Sequence, residues 1–398
     1  MADEKKNFNI FVTGGSQSAG LSTVKALLRK GHNVIASVAD ADGALTVRRA
    51  GALPVYPNLT REGEILSVLK MADVDVIVHA APQAFGAIPQ AEFDTDAHAS
   101  WLTDTTSTVA QAASTHGVKC LVSVSFGYLQ DADGAMYAPM KAAEKAVLDS
   151  GVAGYVVRAG YIYGGTTAAT LNVADDIRNT RAVQSGTHTA SWVHEDDLAG
   201  AIVALIEAQA SNESSAQIIN VADDHPQSPN DFAKALGVSL GFQTVNFASK
   251  GFVMTRLFGK SFSDHLLARE VVLDTYNIKN EFGWQPQHAD ASSGCGATAL
   301  QWRMSDATDP LEYYTQYEDK AADALAALKS GEALAAPAEE DVVEEKAAPV
   351  KAEAKPAATT APAADAGPAP WNEDEAKKEA RRLKALERKK KRAQKSGG

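Results

Sequence analysis

A doubly wound, mostly parallel α/β sheet is the fold this sequence predicts, on three observations. A β-turn-α-β unit built around a glycine-rich bend opens the chain between Phe8 and Val38. Strand-like and helix-like segments then alternate for about 200 residues, the pitch of a parallel sheet with crossover helices. The 398 residues are 45% hydrophobic, enough for a large core and for more than one domain.

The elements follow in order. Phe8, Ile10 and Val12 alternate into a strand, and the backbone turns through Thr13-Gly14-Gly15. Leu21, Val24, Leu27 and Leu28 recur at helical spacing until Gly31, and Val34-Ile35-Ala36 resumes a strand. Residues 52–59 read as a strand, 62–71 as a helix, and 74–81 (VDVIVHAA) as a buried strand. A long helix over 101–116, a strand over 119–125, a helix over 137–150 and a strand over 155–158 continue the alternation. Beyond Leu198 come a helix (AIVALIEA), a short strand at 217–221, and a helix opened by Ser228-Pro229.

Ligands of such sheets bind beyond the carboxyl ends of the strands. The glycine bend, Ala80-Ala81, Ser125 and the segment after Arg158 all fall at that edge. Glycines there let a backbone approach a pyrophosphate at a helix N-terminus. Gly14 and Gly20 hold the outer places of a Gly-x-x-Gly-x-x-Gly pattern, but Gln17 stands in the middle, and Ser18 breaks the alternative Gly-x-x-x-Gly-x-Gly spacing. Tyr137 and Lys141 lie four residues apart, on one face of a helix. An ammonium beside a phenol favours the phenolate, the tuning a proton-transferring tyrosine needs. His79 and His194 read as packed or hydrogen-bonded groups, and Cys120 as a small buried hydrophobe. Residues 194–197 (HEDD) are consecutive and converge poorly on one ion, so no metal is expected.

With these pieces assembled, the chain resembles the short-chain dehydrogenase/reductase superfamily in its extended or atypical, NAD-dependent epimerase/dehydratase-like branch. The resemblance runs from about Asn7 to Pro286 and rests on TGGSQSAG, DVIVHAA, Ser125 with Tyr137 and Lys141, VVRAGYIYGG, SWVHEDDLAGAI, QIINVADDHPQS and LDTYNIKNEFGWQP. It implies a Rossmann-type domain over residues 1–165 and a small substrate domain over 166–330, interleaved with the last sheet elements. It also implies NAD or NADP as cofactor. Thr13, Gly14, Gly15, Gln17 and Gly20 would line the pyrophosphate, Asn58 and Leu59 the adenine, Ala80 and Ala81 the ribose, and Tyr161 the nicotinamide. Tyr137 would be the acid/base, Lys141 its ribose-binding partner, and Ser125 the holder of the substrate oxygen, with Ser123 in reserve. The segment 192–197 would seal the sheet against the second domain. Residues 166–185 would form the substrate loop, with Asn172 as one polar contact.

Four departures surround the cofactor. Gln17 replaces a glycine; Val38 and Ala39 stand where a ribose-reading acid is usual, with Asp40 just beyond and Arg48 or Arg49 as candidates for a 2′-phosphate. Leu102 replaces a frequent asparagine, and Ala159 a proline.

The C-terminal part differs in kind. Residues 331–370 are Ala, Pro, Glu and Lys with few aliphatics, the composition of a linker that does not fold. Residues 372–398 carry 11 Lys/Arg against 5 Asp/Glu, acids early and bases late, as in a helix aligned with its dipole. This basic tail, 371–398, would dock on a protein assembly, an anionic membrane surface or RNA. The net charge of −12 argues against the whole chain binding nucleic acid. Only Cys120 and Cys295 occur, no apolar run reaches the ~20 residues of a membrane span, and the start MADEKKNF has no apolar signal region; a cytoplasmic protein is expected. Two functions fit: an NAD(P)-dependent oxidoreductase or epimerase/dehydratase acting on a hydroxyl or carbonyl substrate, or a catalytically silent nucleotide-binding subunit recruited through the tail.

Overall fold

The computed structural model describes residues 7–81, 96–133, 137–180, 182–184, 186–209, 216–248 and 269–306. Residues 307–330 of the expected substrate domain, the linker, the basic tail and the side chain of Asn172 lie outside the described residues.

The described elements are β1 (Asn9–Thr13), α1 (Ser18–Arg29), β2 (Asn33–Ser37), α2 (Ala41–Ala50), β3 (Leu53–Val55), α3 (Glu62–Met71), β4 (Val76–His79), α4 (Asp96–His116), β5 (Cys120–Phe126), α5 (Ala138–Leu148) and β6 (Gly154–Ala159). There follow β7 (Tyr161–Tyr163), α6 (Ala168–Thr180), β8 (Ala182–Gln184), β9 (Trp192–His194), α7 (Glu195–Gln209), β10 (Gln217–Val221), α8 (Pro229–Ser239), β11 (Asn246–Ala248), α9 (Tyr276–Asn280) and α10 (Ala291–Asp306).

Seven parallel strands form the main sheet in the order β10-β6-β5-β4-β1-β2-β3. Strand order reverses between β1 and β4, the switch point at which a cleft opens beyond the strand ends. Both faces are covered, so the inner strands carry buried apolar residues on both sides and their alternation sorts them between two cores. Ile10, Val12, Val76, Val78, Val122 and Val157 join the core under α1 and α7. Phe11, Ile77, Leu121 and Val156 point the other way, under α3 and α4. A third cluster, with Tyr163, Ile177, Trp192, Phe232, Leu236 and Cys295, is built from α6, α8, α10 and the β7/β9 pair.

Two expectations about elements change. The strand foreseen over 52–59 is only Leu53–Val55, because Pro54 and Pro57 remove ladder donors and confine it to the sheet edge. The substrate loop foreseen over 166–185 contains the helix α6, whose Ala174 and Ile177 face the third core. No helix among the described residues is long and apolar enough to cross a membrane.

Candidate active site

The glycine bend links β1 to α1. Gly14 adopts φ +67, and a Cβ there would stand 2.8 Å from Ala81 Cα. A Cβ on Gly20 would lie 2.0 Å from the Gly14 carbonyl oxygen, and one on Gly15 2.6 Å from Ala36 Cβ. Gly15 and Gly20 therefore need glycine for close approach, and Gly14 needs it both for close approach and for its left-handed backbone. Gln17 does not: it is exposed, in ordinary extended backbone (φ −148, ψ 158), and precedes the first residue of α1. The Gly14 amide donates to Ser37 Oγ at 3.0 Å and that of Gly15 to the Ser37 carbonyl at 3.1 Å, tying the bend to the end of β2.

Beneath it runs a buried polar chain. Thr13 Oγ1 lies 2.8 Å from His79 Nδ1, His79 Nε2 lies 3.1 Å from Thr106 Oγ1, and the Ala81 amide donates to Thr13 Oγ1 at 3.3 Å. Burial pushes the His79 imidazole down to about 3, so it is neutral and structural. Register puts Thr13, His79 and Ser123 level across β1, β4 and β5. Ser125 stands two residues further along β5, at the carboxyl edge.

Ser125 Oγ donates to Glu144 Oε1 at 2.7 Å. Glu144, on α5 and 5% exposed, also accepts from Arg158 Nε at 2.9 Å and Nη2 at 2.6 Å, a two-pronged pair that raises the guanidinium pKa, chiefly through this hydrogen bonding. Ser123, Ser125, Thr106, Leu102, Met140 and Glu144 line a small cavity of ≈ 10 Å³, room for about one water. Sequence reading singled out neither Glu144 nor its ion pair. The signal was present as a glutamate on the inward side of an amphipathic helix, opposite an arginine in a strand.

Tyr137 is the residue that caps the start of α5, and Lys141 lies in the first turn of that helix. Tyr137 is 3% exposed, packed with Leu102, Leu129, Met140 and Val271, its ring 6.3 Å from that of Tyr128. Lys141 is exposed, and its ammonium donates to the Ala132 carbonyl. Tyr137 also stands among phenols, packed in one cluster with Tyr128 and Tyr161. Tyr128 and Tyr161 have pKa values raised first by burial and then by their neighbours, Tyr137 among them. Tyr161 packs its ring 5.4 Å from Trp192.

Asn58 and Leu59, the residues expected at the adenine, are more exposed. Asn58 Oδ1 accepts from Thr60, and the Asn58 amide donates to Glu64 Oε2 at 2.7 Å, so the residue organises the entry to α3, while Leu59 packs on the core. Asp40 caps α2, accepting from the Gly43 amide at 2.7 Å; Arg48 and Arg49 occupy the last turn of that helix. His194, fully buried at the end of β9, is pushed down to about 4, chiefly by burial. Asp197 accepts from the backbone amides of Gln287 and His288, tying α7 to the segment before α10.

Residues 14–209 match the protein family described as NAD(P)H-binding. A protein of Streptomyces sp. named 3-diazoavenalumate denitrifying reductase is 27% identical over 321 residues, 72% of this chain and 99% of that one. UDP-glucose 4-epimerase of Thermotoga maritima, solved with UDP-glucose, shares the fold at 19% identity and a TM-score of 0.59, over 75% of this chain and 99% of that one. WbmG of Bordetella bronchiseptica, solved with NAD, does so at 18% identity and a TM-score of 0.61, over 76% and 96%.

Proposed function

We propose that this protein is an oxidoreductase of the short-chain dehydrogenase/reductase type, a reading supported by the match of residues 14–209 to a family described as NAD(P)H-binding. It would act on a substrate hydroxyl or carbonyl held at Ser125. The observation that carries the reading is the placement of Ser125. It stands at the carboxyl end of β5, one strand from the end of β4 that backs the glycine bend, with its oxygen on a cavity it shares with Glu144.

The residues present fit a dinucleotide. Gly14, Gly15 and Gly20 form a cradle that any Cβ would fill, and Ala80-Ala81 lies against it. Gly14, Gly15 and Gly20 would hold the pyrophosphate, with Thr13 beneath, and Tyr161 would border the nicotinamide. Bound nicotinamide supplies or accepts the hydride. Glu144, fixed by Arg158, accepts the Ser125 hydrogen bond, so Ser125 would turn a lone pair toward a substrate O–H and would turn away from Glu144 to donate to a substrate carbonyl. Tyr137 gives or takes the proton at the substrate oxygen. Lys141 serves the ribose and the phenol after leaving the Ala132 carbonyl. The Streptomyces 3-diazoavenalumate denitrifying reductase and the Thermotoga epimerase solved with UDP-glucose suggest a diazo compound and UDP-sugars as the first substrates to try.

One observation favours a second reading: Tyr137 is buried and the Lys141 ammonium is engaged elsewhere. A nucleotide-holding subunit without turnover, recruited through residues 371–398, is consistent with that. The test is a titration with NADH and NADPH followed by nicotinamide fluorescence, then a substrate screen with wild type and Tyr137→Phe. The oxidoreductase reading expects binding, turnover, and loss of turnover in the variant at nearly unchanged cofactor affinity. Binding without turnover of any compound supports the silent subunit, and undiminished turnover in the variant removes Tyr137 from the chemistry.

A further inference from the structure

The start of α1 is not open. Ser18, at φ +48, sends its amide to the Thr166 carbonyl at 3.3 Å. Its hydroxyl lies 3.1 Å from Thr167 Oγ1. Thr166 and Thr167 belong to the segment after β7, which is pinned by Glu195, the first residue of α7. The Thr166 amide donates to Glu195 Oε1 at 3.1 Å, and both threonine hydroxyls lie 2.8 Å from Oε2. Glu195 has no exposed surface, and Gly164 passes so close that a Cβ there would be 2.2 Å from its carboxyl carbon. Its pKa is raised, chiefly by burial and also by the charge of Asp196, against three hydrogen bonds that favour the carboxylate.

A carboxylate only accepts, so both threonine hydroxyls donate to it. The Thr167 oxygen then has only lone pairs for Ser18, and the Ser18 hydroxyl donates to it. The chain has one polarity, Ser18 to Thr167 to Glu195. As a result the amide and hydroxyl of Ser18, two of the donors that a helix start offers to an anion, are turned toward the strap, and a negative charge stands two hydrogen bonds behind the hydroxyl.

We propose that Glu195 sets the affinity for the dinucleotide, by holding the 164–167 strap on the α1 N-terminus where it competes with the pyrophosphate. This rests on the glycine bend being the pyrophosphate site. Glu195 acts through Ser18, Thr166 and Thr167 and is a positioning residue. Glu195→Gln removes the charge, and its amide can donate back along the chain, freeing the Ser18 hydroxyl. Thr167→Val cuts the chain while keeping the charge.

The test measures binding of NADH by fluorescence, and of ADP and adenosine by calorimetry, on the full chain and both variants, with melting curves for each. Glu195→Gln is expected to bind NADH and ADP about tenfold more tightly. Adenosine, which has no phosphate, should be unaffected, and Thr167→Val should tighten NADH by a smaller factor. If Glu195→Gln does not fold, Thr167→Val decides alone. Unchanged or weaker NADH and ADP binding overturns the role of Glu195, as does equal tightening of adenosine. Absence of NADH and ADP binding in all three proteins overturns the cofactor-site reading itself, and this proposal with it.

Discussion

Asp40 shows how one carboxylate bears on cofactor choice. It ends the turn after β2 and caps α2 through Gly43, whose Cα approaches Ser16 of the glycine bend closely enough that a Cβ would stand 3.1 Å from Ser16 Oγ. Asp42 adds a second acid in the same first turn, while Arg48 and Arg49 sit in the last turn, about 10 Å further along the axis. A 2′-phosphate set beside the start of α2 would meet the carboxylates of Asp40 and Asp42. NADPH is therefore expected to bind about tenfold more weakly than NADH, and Asp40→Asn to narrow that gap. Equal Kd values for the two cofactors in the wild type would sink this expectation. Residues of this kind were only half legible in the sequence. Asp40 could be seen as an acid near the right place, but which way its side chain pointed depended on the cap geometry of α2. Gln17 looked like a defect because the motif was read as a spacing of glycines. The backbone shows that its position asks for no glycine at all.

At the scale of elements, glycines divide into those needed for space and those needed for conformation. Gly20 faces the Gly14 carbonyl with no room for a methyl group, whereas Gly31 ends α1 at φ +89 with nothing nearer than 3.8 Å to an added Cβ. Gly31→Ala is expected to lower stability by about 1 kcal/mol and leave NADH binding alone. Gly20→Ala must displace either the bend or the start of α1, and should lose at least about tenfold in NADH affinity at a melting temperature within a few degrees of Gly31→Ala. Comparable NADH binding by the two variants would show that the bend tolerates what its geometry forbids. The elements most legible in the sequence were those with strong periodicity and end signals. The helix α3 runs Glu62–Met71 as the spacing of Ile65, Val68 and Leu69 required, and α8 opens on a Ser228 side chain that accepts from Asp231. The helix α6 was hidden because its threonine-rich approach and small alanines resemble a loop until the third core supplies something for Ile177 to pack against. The ion pair of Glu144 with Arg158 was hidden for a related reason, since it joins a helix to a strand and only the tertiary fold brings them together.

Across the whole molecule, buried titratable groups set a pH window for stability. His79 and His194 are held neutral, at about 3 and about 4. Their ordinary value is about 6.5, so stability that they permit above that pH is lost as acid charges them in the unfolded chain first. Asp223 works in the opposite sense. It follows β10 and is 4% exposed, and burial, only partly offset by the Trp192 backbone, pushes it up to about 8. An acid raised in the folded state contributes stability that is fully present below its unfolded value of about 4 and is lost as pH rises through 8. Between pH 4 and 6.5 the histidines and Asp223 pull against each other, whereas from 6.5 to 8 Asp223 acts without them. Stability should therefore pass a maximum near pH 6.5 and fall by about 2 kcal/mol toward pH 8. Asp223→Asn carries no charge to bury, so its melting temperature should stay level over that interval and exceed the wild type at pH 8. Thermal melts of both proteins at half-unit steps from pH 5 to 8.5 measure this directly. Parallel curves above pH 6.5 would mean that Asp223 finds a proton-independent partner in solution.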